Sequence, residues 1–106
     1  MKISTKGVYY GNLNSELEFD GVLLTRYEYE KDSTPWHYHE NPYFMFVLHG
    51  YMIDANKKNK NLLPPGGLMF TNWQEVHYGS RHSEQAGGFH LELEKSWLKA
   101  ITLLKV

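Results

Sequence analysis

Two histidines stand one residue apart in the segment Trp36-His37-Tyr38-His39, and this pair is the part of the sequence best suited to chemistry. Side chains at positions i and i+2 of an extended strand point to the same face, with their Cα atoms roughly 7 Å apart. Two imidazoles can therefore converge on one small object, such as a metal ion or an anionic ligand. His77, which follows a later apolar segment, is a candidate third member of the group.

Three neutral imidazoles form an ordinary ligand set for zinc, nickel, copper or ferrous iron. A His-x-His pair can also arise by chance, because six histidines occur among these 106 residues. From these residues alone, the metal-site interpretation and the chance interpretation both stay open.

Length and composition limit the classes of protein to consider. A chain of 106 residues is one domain, and its 42% apolar and 15% aromatic content indicates a folded globule. The formal net charge of −1 provides no basic surface for nucleic acid, so we expect no direct nucleic-acid binding by this chain. Because cysteine is absent, disulfides, thiolate metal sites and cysteine nucleophiles are excluded.

Neither a membrane span nor a targeting segment is visible. The longest apolar run, residues 43–48, is too short to cross a bilayer, and the first residues lack the apolar region of a signal peptide. We therefore expect a cytoplasmic protein with no membrane partner.

The elements that must position the histidines read mostly as short strands. Alternation of side-chain types predicts a half-buried strand from Leu23, after a turn at Asp20-Gly21. Turn-forming residues at 56–61 and 64–67 separate further segments. The predicted strands run through His37 and His39 and over 43–48, 51–55, 62–63, 68–71, 76–78 and 88–93. Such short strands are typical of an all-β sandwich or barrel.

The last residues change to a helical period. From Ser96, a plausible N-cap, one side of a 3.6-residue helix carries Trp97, Leu98, Ile101 and Leu104 or Leu103. We predict an amphipathic helix over about 96–105, which packs on the barrel or on a second subunit.

The spacing of histidines and glycines resembles the cupin superfamily. Cupins share the motif Gly-x5-His-x-His-x3,4-Glu-x6-Gly and a second motif, Gly-x5-Pro-x-Gly-x2-His-x3-Asn. His37 and His39 match the paired histidines, Gly50 follows at the required distance, and Gly66 precedes His77 as in the second motif. Asn72, Gln74 and Arg81 depart from that second motif. Over about residues 5–100 the chain is also similar to the N-terminal domains of AraC-type transcription regulators.

This resemblance implies one small jelly-roll barrel over residues 1–106, with the barrel at about 5–94 and the helix after it. It implies a metal or ligand site at His37, His39 and His77, and the three-His set suits Zn, Ni or Fe. Tyr43 stands where cupins place the ligand glutamate. We expect it to pack as an aromatic with its hydroxyl at the pocket wall, because phenolate ligation is costly with an unperturbed pKa near 10. Glu40 directly follows His39 and should face the other way.

Further residues are candidates for the wall of the pocket: Tyr43, Met45, Trp36, Trp73 and His90. For His90, the alternating apolar residues Phe89 and Leu91 favour an outward position. If the strand has the opposite phase, His90 joins the site. The two remaining histidines, His49 and His82, are expected at the surface.

Two functions follow as expectations. The first is a small-molecule-sensing and dimerisation module like that of AraC-type regulators, which would act as a homodimer and bind an effector in the barrel. The second is a small metal-dependent cupin enzyme of dioxygenase or isomerase type, with a small-molecule substrate. The sequence leaves the effector, the substrate and the identity of the metal open.

Overall fold

The computed structural model describes residues 2–29, 33–73, 75–81, 85–97 and 99. Over these residues the chain forms ten strands and the start of one short C-terminal helix. The strands are β1 (Lys2–Ser4), β2 (Asn12–Phe19), β3 (Val22–Tyr29), β4 (His37–His39), β5 (Tyr43–His49), β6 (Met52–Asn56), β7 (Lys60–Leu63), β8 (Leu68–Thr71), β9 (His77–Arg81) and β10 (Ala86–Leu93).

Two five-stranded sheets pack face to face. One has the order β1-β4-β9-β6-β7 and the other the order β2-β3-β10-β5-β8. All neighbours pair antiparallel except β1 and β4, which are parallel. The all-β prediction is therefore confirmed, as are the predicted strands. Among the described residues, no helix is long and apolar enough to cross a membrane.

The turn at Asp20-Gly21 joins β2 to β3 as predicted. Asp20 has a φ of 49° and Gly21 a φ of 80°. Two successive positive φ values are typical of the tight turns that connect antiparallel strands, and Asp-Gly is a preferred pair for them.

Strands β1 and β2 were not predicted from the sequence. All eight residues of β2 are exposed, so the strand has no buried face that would impose alternation. It lies at the edge of its sheet and pairs only with β3, with a register shift between Leu13 and Ser15. The strand is held by its hydrogen bonds to β3, the next strand along the chain.

The outward position favoured for His90 is wrong. On β10, His90 and Glu92 are buried, at 2% and 3% exposure, whereas Phe89 and Leu91 are only partly buried and face outward. The alternation of residue types along β10 could not show which residues face inward, because the outer face of this sheet is also apolar. His90 is tolerated in an inward position because its Nε2 has a hydrogen-bond partner, the hydroxyl of Tyr29 at 2.9 Å.

The C-terminal helix begins at residue 95 rather than at Ser96. The backbone N–H of Trp97 donates to the carbonyl of Glu94 at 2.9 Å, so Glu94 precedes the first turn and Ser96 is not the N-cap. The indole N–H of Trp97 donates to the carbonyl of Asp20 at 2.7 Å, which ties the helix start to the β2–β3 turn. Of the predicted helix beyond residue 97, only residue 99 lies within the described residues.

The carboxylate of Glu92 holds the N-terminal segment against the barrel. Its Oε1 accepts hydrogen bonds from the backbone N–H of Gly7 at 3.0 Å and from the hydroxyl of Tyr9 at 2.9 Å. Its Oε2 accepts one from the side-chain amide of Asn41 at 2.9 Å. Buried carboxylates require such donors, because desolvation of an unpaired charge is costly.

We expect Glu92→Ala to lower the free energy of unfolding by about 3 kcal/mol, because three donors lose one charged acceptor. Urea denaturation followed by tryptophan fluorescence measures this loss. Glu16→Ala, on exposed β2, is the matched control and should change the free energy of unfolding by less than about 0.5 kcal/mol. Equal effects of the two variants would contradict the anchoring role of Glu92.

Candidate metal centre

The three candidate ligand histidines come from two adjacent strands. His37 and His39 lie at alternate positions of β4, so both side chains enter the barrel. His77 opens β9 and is the direct register partner of His37. All three are buried, at 3% exposure each. Strand pairing therefore brings together residues that stand 40 positions apart in the sequence.

The ring nitrogens of this cluster converge. One nitrogen from each histidine lies within 4.8 Å of the other two, and His37 Nε2 lies 3.2 Å from His39 Nε2. Two imidazole nitrogens bound at about 2.0–2.1 Å to a tetrahedral zinc ion would be about 3.4 Å apart. The observed spacing thus fits a shared metal ion.

Two of the three imidazoles are held in one orientation by their Nδ1 atoms. His37 Nδ1 lies 2.7 Å from the carbonyl oxygen of Pro35, which can only accept a hydrogen bond. The proton therefore sits on Nδ1 and the Nε2 lone pair points into the cluster. His77 Nδ1 lies 2.8 Å from Asp54 Oδ1, which sets the same tautomer.

Burial keeps two imidazoles of the cluster, those of His37 and His39, uncharged. It lowers the pKa of His37, and it lowers the pKa of His39 to about 2, with His77 and His37 adding to the effect. A neutral imidazole is the form that binds a metal. At neutral pH His37 and His39 are therefore in the uncharged form that a metal ion requires.

Tyr43 lies beside the cluster, with its hydroxyl 3.4 Å from His77 Nε2. Burial raises the pKa of this phenol, and the negative charge of Asp54 raises it further. The hydroxyl is therefore a neutral hydrogen-bond donor at the pocket wall. Glu40 contributes nothing to the cluster, since its Oε1 accepts a hydrogen bond from the backbone N–H of Lys6.

The cluster opens into a cavity of about 30 Å³. This volume holds about two water-sized molecules. Of the predicted pocket residues, Tyr43, Met45 and His90 line the cavity together with the three histidines.

The structure places the two predicted tryptophans outside this lining. Trp36 precedes His37 on the chain, so it faces away from the barrel and packs edge-on against Tyr78 with ring centroids 4.7 Å apart. Trp73 lies under the ammonium group of Lys95, at 4.4 Å. Of the remaining histidines, His49 is at the surface with Glu28 at 2.7 Å, and His82 lies outside the described residues.

The site residues missed in the sequence include Asp54, Tyr9 and Tyr29. Asp54 was detectable only as an acidic residue within the apolar segment 51–55. Tyr9 stacks between two imidazoles, with its ring centroid 4.8 Å from that of His39 and 3.8 Å from that of His90. No local pattern marks Tyr9, because it lies in an irregular segment between β1 and β2.

Comparison with known proteins reveals the fold but not a close relative. No protein-family model matches the sequence, and no curated protein matches it. Among solved structures, a cupin-2 domain protein from Shewanella frigidimarina matches with a TM-score of 0.66 and 17% identity, over 76% of this chain and 80% of that one. A cupin superfamily protein from Desulfitobacterium hafniense matches with a TM-score of 0.64 and 14% identity, over 77% and 80% of the two chains.

A third match is a larger protein. An HTH_3 family transcriptional regulator from Vibrio cholerae gives a TM-score of 0.58 and 14% identity, over 70% of this chain and 43% of that one. The likeness therefore covers a part of that regulator. At these identities the matches show the fold alone. The chain has the fold of the cupin superfamily, with a buried three-histidine cluster at its centre.

Proposed function

We propose that this protein binds one divalent transition metal through His37, His39 and His77 and presents it to a very small ligand inside the barrel. The observation that carries the proposal is the convergence of the three imidazoles in a buried cluster. The hydrogen bonds at His37 Nδ1 and His77 Nδ1 support it, because they hold both rings with Nε2 directed into the cluster.

Three imidazole nitrogens are suitable ligands for zinc, nickel or ferrous iron. A metal in this position would supply Lewis-acid chemistry or, as ferrous iron, open coordination positions for a substrate and dioxygen. Other residues of the chain form the surroundings of the bound ligand. The hydroxyl of Tyr43 is available to donate a hydrogen bond to a ligand beside His77, and the aromatic walls exclude bulk water.

The size of the cavity favours a very small ligand over a sugar or an aromatic acid. Pockets for ligands of that size usually have volumes of about 300–1,000 Å³. The cavity here has about 30 Å³, so such an effector requires the barrel to expand. A ligand the size of water or dioxygen fits without movement.

We expect elemental analysis of protein purified without a histidine tag to find close to one transition-metal ion per chain. His77→Ala should reduce this content at least 10-fold, because it removes one of three ligands. His49→Ala is the matched control, since His49 lies at the surface, and should retain the metal. A content far below one ion per chain after growth in metal-supplemented medium contradicts the proposal.

A second candidate is a ligand-binding module of a transcription regulator, as in the AraC-type family. The likeness to part of the Vibrio cholerae regulator supports this candidate, although that protein belongs to a different regulator type. In this role the three histidines would hydrogen-bond an effector instead of a metal. Two results together would favour this candidate. The purified protein would contain no metal, and a small-molecule effector would raise the melting temperature of wild-type protein but not that of His77→Ala.

A further inference from the structure

The outer face of the sheet β2-β3-β10-β5-β8 carries an apolar row that crosses all five strands. Consecutive Cα register partners form this row, each pairing directly with the next across the sheet. From edge to edge, the row consists of Leu17, Leu24, Leu91, Phe44 and Phe70. The rings of Phe44 and Phe70 are in contact, with centroids 4.9 Å apart.

A second apolar row runs beside the first. Phe89 pairs with Phe46, and Phe46 pairs with Leu68. Between the two rows lies an open groove of about 340 Å³, walled by six apolar side chains of this face. Outward positions on a sheet that faces water are normally polar, so two adjacent apolar rows indicate a surface that is covered in use.

Charge is nearly absent from this face. On these five strands, all of which the structure describes, the charged outward positions are Arg26 and Glu28 at one end. The two side chains form an ion pair at 3.4 Å, and the guanidinium group of Arg26 also lies over the ring of Phe89 at 5.7 Å. A neutral face offers no complement to a strongly acidic or basic partner, whereas it is complementary to another copy of itself.

The exposed apolar area is large enough for a dimer. Leu17 and Leu68 are 66% and 62% exposed, and Phe70 and Phe46 are 39% and 38% exposed. The other side chains of the two rows are partly buried. Since a large apolar side chain presents roughly 150–250 Å² when fully exposed, the outward side chains together present on the order of 600 Å². A standard interface buries about 800 Å² per partner, somewhat more than half of it apolar.

We propose that this face is the contact surface of a symmetric homodimer, in which two copies pack their outer sheets against each other about a two-fold axis. Two sheets that pack face to face keep their strands within about 30° of each other, and their side chains interdigitate. The open groove between the two rows would receive side chains from the second copy. This interface does not involve the metal cluster, which lies inside the barrel.

Sedimentation equilibrium over a micromolar concentration series tests the proposal. We expect wild-type protein at twice the chain mass of 12.4 kDa. The double variant Phe46→Lys, Leu68→Lys should raise the dimer dissociation constant about 100-fold or more, because each copy then brings two charges into an apolar contact. Leu62→Lys is the matched control: Leu62 is 54% exposed on β7, the edge strand of the other sheet, and the dimer should persist.

Three results would overturn the proposal. A monomeric wild-type protein excludes the dimer, and binding of that monomer to phosphatidylcholine vesicles would assign the face to a lipid surface. If the double variant is still a dimer, the interface lies elsewhere, for example on the C-terminal helix. Should the double variant fail to fold, as judged by circular dichroism, the single variant Leu68→Asn replaces it. A dimer of unchanged affinity in Leu68→Asn also counts against the proposal.

Discussion

Metal-free protein should lose stability steeply as the pH falls below about 6.5. Burial lowers the pKa of His37, that of His39 to about 2 and that of His90 to about 3. In the unfolded chain each imidazole titrates near 6.5. Between about 6.5 and the lower folded values, the unfolded chain therefore binds protons that the folded chain excludes, and unfolding becomes more favourable.

The sign and size of this effect follow from linkage. Above pH 6.5 neither state binds these protons, so the contribution of the three histidines is fully present. Below it, each buried histidine removes up to about 1.4 kcal/mol of unfolding free energy per pH unit. We expect a loss of about 3–6 kcal/mol between pH 7 and pH 5, which is a large part of the stability of an ordinary domain.

Urea denaturation in the presence of a chelator, repeated at several pH values, measures this dependence. His90→Gln should reduce the slope by about 1.4 kcal/mol per pH unit, because Gln does not titrate and can still accept a hydrogen bond from Tyr29. Leu62→Gln changes an exposed residue of the edge strand β7 that has no titratable group, and should leave the slope unchanged. A free energy of unfolding that stays constant from pH 7 to pH 5 would show that these imidazoles are not buried as neutral groups.

Asp54→Asn should weaken binding of a divalent metal about 10- to 100-fold while the protein remains folded. The carboxylate of Asp54 can only accept a hydrogen bond, so the proton of His77 stays on Nδ1 and Nε2 stays free. An amide can turn its NH₂ group toward Nδ1 instead, which moves the proton to Nε2 and blocks the ligand atom. The substitution also removes a carboxylate that lies beside the cluster.

Competition with a chromogenic chelator gives the affinity for zinc, and a thermal melt shows that the variant is folded. Asp20→Asn makes the same chemical change in the exposed β2–β3 turn and should leave zinc affinity unchanged. Wild-type protein that binds none of zinc, nickel and ferrous iron refutes the proposed function itself. Zinc binding of equal strength in wild type and Asp54→Asn refutes only the role of Asp54.

Local patterns predicted most of the strands correctly. Val22–Tyr29 alternates along its length, and the Asp-Gly pair before it forms the turn that the sequence implied. Such features depend on neighbours within a few residues, so they can be read without the fold. Strand β2 escaped prediction because it has no buried face and is held by its pairing with β3.

The sequence by itself determined that His37 and His39 share one face, because alternate residues of a strand always do. It also supplied His77 at a spacing that resembles a known motif. Only the tertiary structure decided that His77 pairs with His37, that Asp54 orients His77, and that His90 rather than Phe89 faces inward. The reason is physical, because these contacts join different strands. Both faces of the sheet that contains β10 carry apolar residues, so the contacts of His90 and Glu92 inside the barrel decide which residues of β10 face inward.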